Sequence, residues 1–178
     1  MKADLSSEDL DDTLRIAKEA AHKAGKNALR YFGRKQTLKR KTGSKDELTR
    51  VDIENNSLIV RLLRKNFPDH SILSEEAQPP LKIKKYFWLV DPLDGTISYS
   101  FGLPYWGVAI SLIYDNDPIL GVIYLPVLDK LYWAVKGKGA YVNGMRLTVS
   151  DISSLAKGVI AIDYGYATER ETGVEEIT

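Results

Sequence analysis

Two short acidic stretches carry the residues best suited to chemistry. One is Asp91-Pro92-Leu93-Asp94-Gly95-Thr96, placed directly after the apolar run 86–90. Two carboxylates three residues apart, with a backbone carbonyl between them, can converge on a cation if the chain turns sharply at the end of a strand. Pro92 fixes φ in that turn, and Gly95 lets the backbone approach a ligand with no Cβ in the way. If Thr96 opens a helical turn, the N–H groups of Gly95 and Thr96 point outward as an anion site. Carboxylates for a cation beside free N–H groups for a phosphate are what metal-assisted phosphoryl transfer requires. Alone, the hexapeptide is equally a solvated turn. The second stretch, Ser74-Glu75-Glu76, also ends a predicted strand. Glu75-Glu76 in isolation reads as exposed surface, but two acidic strand ends in one small domain favour a metal site.

Composition narrows the chemistry. The 178 residues contain no cysteine, and His22 and His70 are the only histidines, so thiolate catalysis, disulfides, zinc sites and a serine-histidine triad are excluded or disfavoured. A metal would be held by oxygen, which suits a hard cation such as magnesium. The formal charge of +1, with basic and acidic residues interspersed, gives no reason to expect nucleic acid or a membrane as partner. The acidic start MKADLSSEDLDD lacks the apolar core of a secretory signal, and no apolar run is long enough to span a bilayer, so a cytoplasmic location is expected.

The elements that must position these residues are legible from period. Leu10, Leu14, Ala17, Ala21, Ala24, Ala28 and Phe32 recur at helical spacing, with Ser6 or Ser7 as cap and Gly33 as stop. Residues 34–45, with Thr42-Gly43-Ser44, read as an exposed loop. A second helix is predicted over 52–66, with Ile53, Leu58, Ile59, Leu62 and Leu63 inward and Pro68 ending it. The period then changes to two, giving strands at 71–74, 86–90, 106–114, 119–125 and 130–135. Asn143-Gly144 between Ala140-Tyr-Val and Arg146-Leu-Thr-Val is a two-residue hairpin signal, and 158–162 reads as a further strand. Two helices followed by a mostly antiparallel meander make an α+β fold. Gly137-Lys138-Gly139-Ala140 lacks the context of a phosphate-binding loop and reads as a tight connection. Trp88, Trp106, Tyr132 and Trp133 read as strand core or face residues. The polar tail 164–178 suggests residues 1–150 as a metal-binding αβ domain and 151–178 as the start of a second αβ half.

Three blocks make a resemblance specific: Leu48-Thr-Arg-Val-Asp52, Phe67-Pro-Asp-His-Ser-Ile-Leu-Ser-Glu-Glu76 and Trp88-Leu-Val-Asp-Pro-Leu-Asp-Gly-Thr96. With Pro104–Ser111, Gly121–Tyr124 and Gly137–Gly144 they resemble, in order and spacing, the inositol monophosphatase superfamily over roughly residues 10–150. The resemblance implies that this chain is the N-terminal αβ part of an αβαβα layered sandwich. It implies Glu75, Asp91, the Leu93 carbonyl and Asp94 as ligands of Mg2+, with a second magnesium about 3.5–4 Å from the first. Leu93, Asp94, Gly95 and Thr96 would hold the substrate phosphate, and Thr96, Asp52 and Glu75 would be catalytic. Thr96, hydrogen-bonded to Asp52, would orient a metal-activated water. Asp52 as a simple helix cap and Lys41 as a solvated loop residue are the alternatives to site roles for those two.

The implied activity is hydrolysis of a small phosphate monoester, an inositol monophosphate or sugar phosphate, with a homodimer left open. Departures are Ser74 where the family commonly has glycine, and Ile97-Ser98-Tyr99 where it often has x-Asn-Phe. The family's last metal-binding aspartate, in a Trp-Asp-x-Ala type motif, has no counterpart here, and Asp163 is a poor substitute. The alternative function is therefore a truncated, catalytically inactive member that folds and binds metal or a partner subunit.

Overall fold

The computed structural model describes residues 7–34, 39–40 and 47–160. Helix α1 (Ser7–Leu29) and helix α2 (Arg50–Asn66) precede strand β3 (Ser71–Ser74), strand β4 (Tyr86–Asp94), the short helix α3 (Thr96–Ser100), and strands β5 (Gly107–Tyr114), β6 (Asp117–Leu125), β7 (Lys130–Val135), β8 (Gly139–Val142) and β9 (Met145–Arg146). Strands β1 (Lys39–Arg40) and β2 (Glu47–Leu48) form a separate two-residue antiparallel ladder, with β1 inside the segment 34–45 expected to be loop and β2 just beyond it. Strands β3 to β9 form one seven-stranded sheet in sequence order. Every pairing in it is antiparallel except β3 with β4. The α+β expectation of two helices on a mostly antiparallel sheet holds.

The period-2 pattern decides which face the helices cover. Trp88 and Val90 of β4, Val108, Ile110 and Leu112 of β5, and Leu120, Val122 and Tyr124 of β6 pack with Leu14, Ala17, Ala21 and Ala24 of α1 and Ile59 and Leu63 of α2. The small alanines of α1 let its backbone lie close to the sheet. Full burial of a side chain such as Ile59 or Leu63 contributes roughly 1.5–3 kcal/mol. Trp88 and Trp106 are buried, while Trp133 stacks on Tyr141 with the Lys18 ammonium over its ring. Asn143 and Gly144, at φ 47° and 84°, make the predicted hairpin turn between β8 and β9, and Gly137 and Lys138 close the β7–β8 hairpin as a plain connection.

Four expectations need correction. Helix α2 starts at Arg50, not Asp52, because Thr49 is its N-cap and Asp52 completes a capping box with it. Ile53 is 52% exposed, since the helix turns Val51, Asp52, Asn55, Ile59 and Leu63 inward instead. Residues 158–160 of the predicted last strand are not in a strand, and residues 161–162, like Lys41, Thr42-Gly43-Ser44, Asp163 and Ser6, lie outside the described residues. The strand expected from Arg146 stops there, at the end of β9.

The opposite face of the sheet is apolar too, which explains why the strands read as solidly hydrophobic. Across it, Leu89, Ser111, Gly121, Ala134 and Ala140 lie in register. A cleft of about 740 Å3 runs over this face, and Glu75 and Asp91 line part of it. Leu89, Ile123 and Leu147 along it remain 42%, 48% and 42% exposed. Among the described residues no helix is long and apolar enough to cross a membrane.

Candidate functional site

The parallel pairing of β3 and β4 brings the two acidic stretches together. Ser74 pairs with Val90, and the Glu75 N–H donates to the Val90 carbonyl at 3.0 Å, so Glu75 and Asp91 emerge side by side at the carboxyl ends of neighbouring strands. The Glu75 carboxyl stands beside that of Asp91, close enough for its charge to act on it. Past Asp91 the β4–β5 register shifts, jumping from Asp91 opposite Ala109 to Asp94 opposite Gly107. Pro92, which has no N–H for the ladder, is accommodated in that bulge. Inside it the Leu93 N–H donates to Asp91 Oδ1 at 3.1 Å, while the buried Leu93 side chain joins a second cluster with Ala28, Val51, Tyr99 and Trp106. Gly95 then takes φ 80°, and a Cβ there would lie 2.7 Å from the Tyr105 carbonyl oxygen. The chain reverses where only glycine fits, and α3 begins at Thr96.

Thr96 and Asp52 meet as expected. The Thr96 hydroxyl stands 3.0 Å from Asp52 Oδ1 and 3.1 Å from the Leu93 carbonyl, one proton facing two acceptors. Asp52 is 1% exposed. It also receives the Thr49 N–H at 2.8 Å and the Thr49 hydroxyl. The helix cap and the bond to Thr96 thus come from one carboxylate, one oxygen for the helix and one for Thr96. Burial raises the Asp52 carboxyl above the ordinary carboxylate range, opposed by these hydrogen bonds.

Asp91 is pushed up to about 7, first by burial, then by the charges of Glu75 and Asp94. Carboxylates crowded this way repel, and a divalent cation among them would relieve what the proton now relieves. The donor set, all oxygen, is of the type a hard cation takes. Among the described residues no group of three or more His, Asp or Glu side chains is gathered as a metal cage. Glu75 and Asp91 stand together, whereas Asp94 is exposed and acts on Asp91 through its charge. The residues fit a cation in donor type, and Asp94 would join Glu75 and Asp91 only by turning inward.

A family model described as the inositol monophosphatase family matches residues 9–177. The chain belongs to the inositol monophosphatase family. A fructose-1,6-bisphosphatase/inositol-1-monophosphatase of Aquifex aeolicus is 37% identical over 169 residues, covering 94% of this chain and 64% of the relative. Inositol monophosphatase 2 of Solanum lycopersicum is 33% identical over 174 residues, 95% of this chain and 64% of that protein. The solved structure of a Thermotoga maritima IMPase matches with a TM-score of 0.76 and 35% identity, over 81% of this chain and 56% of the other. The chain therefore spans about 64% of the length of these curated relatives.

Within this inositol monophosphatase family member the structure adds site neighbours that sequence reasoning passed over. Ser74 donates to Asn56 Oδ1 at 2.7 Å, which gives the unexpected serine a partner on α2. Tyr99 donates its hydroxyl to the Ala28 carbonyl at 2.8 Å, tying α3 to the last turn of α1. Asn55 donates to the Pro92 carbonyl at 2.9 Å. The available signal was the spacing of Asp52, Asn55 and Asn56, which places polar groups on the same side of α2 as Ile59.

Proposed function

We propose that this chain carries the cation- and phosphate-binding part of a magnesium-dependent phosphoric monoester hydrolase. Its substrate class is a small phosphorylated polyol or sugar, such as an inositol monophosphate. The observation that supports this best is the convergence of Glu75 and Asp91 at adjacent strand ends, next to a turn in which Asp52 holds Thr96. Glu75, Asp91, the Leu93 carbonyl and Asp94 would hold the cation. A bound divalent cation would supply Lewis-acid stabilisation of charge on the phosphate and leaving oxygens and make water a better nucleophile at neutral pH.

The chain's own groups do the rest. Asp52 or the Leu93 carbonyl accepts the hydrogen bond of the Thr96 hydroxyl, leaving Thr96 Oγ1 to accept from a water and orient its oxygen toward phosphorus. The Gly95 and Thr96 N–H groups donate to the phosphate oxygens as negative charge builds there. Glu75, exposed at the rim of the apolar cleft beside Asp91, would accept a proton from the attacking water. Residues 1–150 make up the metal-binding αβ domain in this reading, and 151–178 begin a second αβ half.

A second reading keeps the cation site without turnover: the chain folds and binds metal or a partner subunit but is inactive alone. The open apolar cleft beside Glu75 and Asp91 favours it. Phosphate release from inositol 1-phosphate and from fructose 1,6-bisphosphate, with Mg2+ and with EDTA, separates the two. Mg2+-dependent release supports hydrolysis. Cation binding without release supports the second reading, and neither binding nor release removes both.

A further inference from the structure

Helix α2 turns three polar side chains toward the two acidic strand ends, and the reading above uses only Asp52. Asn55 is 0% exposed. Its Nδ2 donates to the Pro92 carbonyl at 2.9 Å, and its Oδ1 accepts from Asn27 Nδ2 of α1 at 3.1 Å. Asn56, next to it, accepts the Ser74 hydroxyl at 2.7 Å and reaches the Glu76 carbonyl with Nδ2 at 3.5 Å. A buried amide is a poor core filler and asparagine a mediocre helix former. At Asn55, on the stripe that continues into Ile59 and Leu63, an aliphatic side chain would bury more apolar surface.

The partners explain the choice. Pro92 immediately follows Asp91, while Ser74 and Glu76 flank Glu75. Two consecutive residues of one helix thus hold the neighbours of each of the two acids, Asn55 by the Pro92 backbone and Asn56 chiefly by the Ser74 hydroxyl.

We infer that Asn55 and Asn56 are positioning residues that set the separation of Glu75 and Asp91. They brace two strand ends whose carboxylates repel each other whenever both are ionised and no cation lies between them. Neither asparagine touches cation or substrate. The inference rests on the reading of Glu75 and Asp91 as cation ligands. Groups that hold ligands from behind typically contribute tenfold to a hundredfold in metal affinity, because they fix a geometry the cation would otherwise have to impose.

The test is Mn2+ binding to the 178-residue chain, read from the free-ion electron paramagnetic resonance signal, with thermal unfolding in EDTA as the control for folding. Asn55→Ala, Asn56→Ala and Ser74→Ala are each expected to weaken Mn2+ binding by roughly tenfold or more. Asn56→Ala with Ser74→Ala should lose no more than Asn56→Ala alone, since Asn56→Ala already removes the hydrogen bond that Ser74→Ala removes. Asn56 is only partly buried, so its variant should unfold within a few degrees of the wild type. That pair decides the matter if Asn55→Ala fails to fold. Folded Asn56→Ala and Ser74→Ala variants that bind Mn2+ as tightly as the wild type overturn the inference. A wild-type chain that binds no Mn2+ overturns the cation reading beneath it.

Discussion

Gly95→Ala isolates the turn on which the site depends. Gly95 sits at φ 80°, a region that costs a non-glycine residue about 1–2 kcal/mol. The new Cβ would also stand 2.7 Å from the Tyr105 carbonyl oxygen and 3.3 Å from Trp106 Cα. Both are backbone atoms that cannot swing aside, and overpacking of this kind costs about 1–3 kcal/mol. Stiffening the unfolded chain returns about 0.4–1 kcal/mol. The net expected loss is centred on about 3 kcal/mol, or a fall of roughly 6–12 °C in Tm for a chain of this size. Gly102→Ala is the control: φ there is 73°, but nothing lies within 4 Å of the added Cβ, so the loss should be about 1 kcal/mol or less. Urea unfolding followed by tryptophan fluorescence measures both. Equal losses in the two variants, or a Gly95→Ala protein within 1 kcal/mol of the wild type, would refute the close-approach argument.

Three further outcomes follow from named contacts. Asp91→Asn should stabilise the cation-free protein, because Asp91 is held at about 7 against an ordinary 3.8 and so loses stability as it ionises in the folded state. That penalty is absent below about pH 4, grows between pH 4 and 7 and is complete above, with an upper bound of ~4 kcal/mol. An Asn that keeps the Leu93 N–H bond should recover about 1–2 kcal/mol at pH 8 in EDTA and nothing at pH 4, and a gain independent of pH would rule out charge as the cause. Thr96→Val, which removes the hydroxyl between Asp52 and the Leu93 carbonyl, should lower kcat by about 10²–10⁴ with KM changed little; a kcat within threefold of the wild type would remove Thr96 from the chemistry. Tyr99→Phe deletes the bond to the Ala28 carbonyl and should cost about 1 kcal/mol in urea unfolding, with cation affinity unchanged.

The parts that sequence revealed are those carried by period and by turn chemistry. Alternation located the strands from Ser71 to Val142, and the turn declared by Asp91 to Thr96 comes at Gly95, after β4 has run past the expected end at 90 through Asp91 to Asp94. What escaped was tertiary. Ile53, being apolar, reads as inward, yet α2 faces its first two turns toward the site and fills them with Asp52, Asn55 and Asn56. A hydrophobic period is blind to a face selected for hydrogen bonding. Thr49 as cap was readable from the Thr49-Arg50-Val51-Asp52 spacing, a capping box with aspartate in the place of glutamate. The bond from Tyr99 to Ala28, 71 residues earlier, leaves no local pattern. The β4 bulge hides too, since only the register shift against β5 exposes it.

The most direct measurement is a calorimetric Mg2+ titration of the wild type, Glu75→Ala and Asp94→Asn at pH 8, each variant first shown to be folded. The account predicts that the wild type binds Mg2+ and that both variants bind it at least tenfold more weakly, Glu75 because it pairs with Asp91 and Asp94 because it must turn in to complete the donor set. Equal Mg2+ affinity in all three would contradict the account and take these carboxylates out of the cation site.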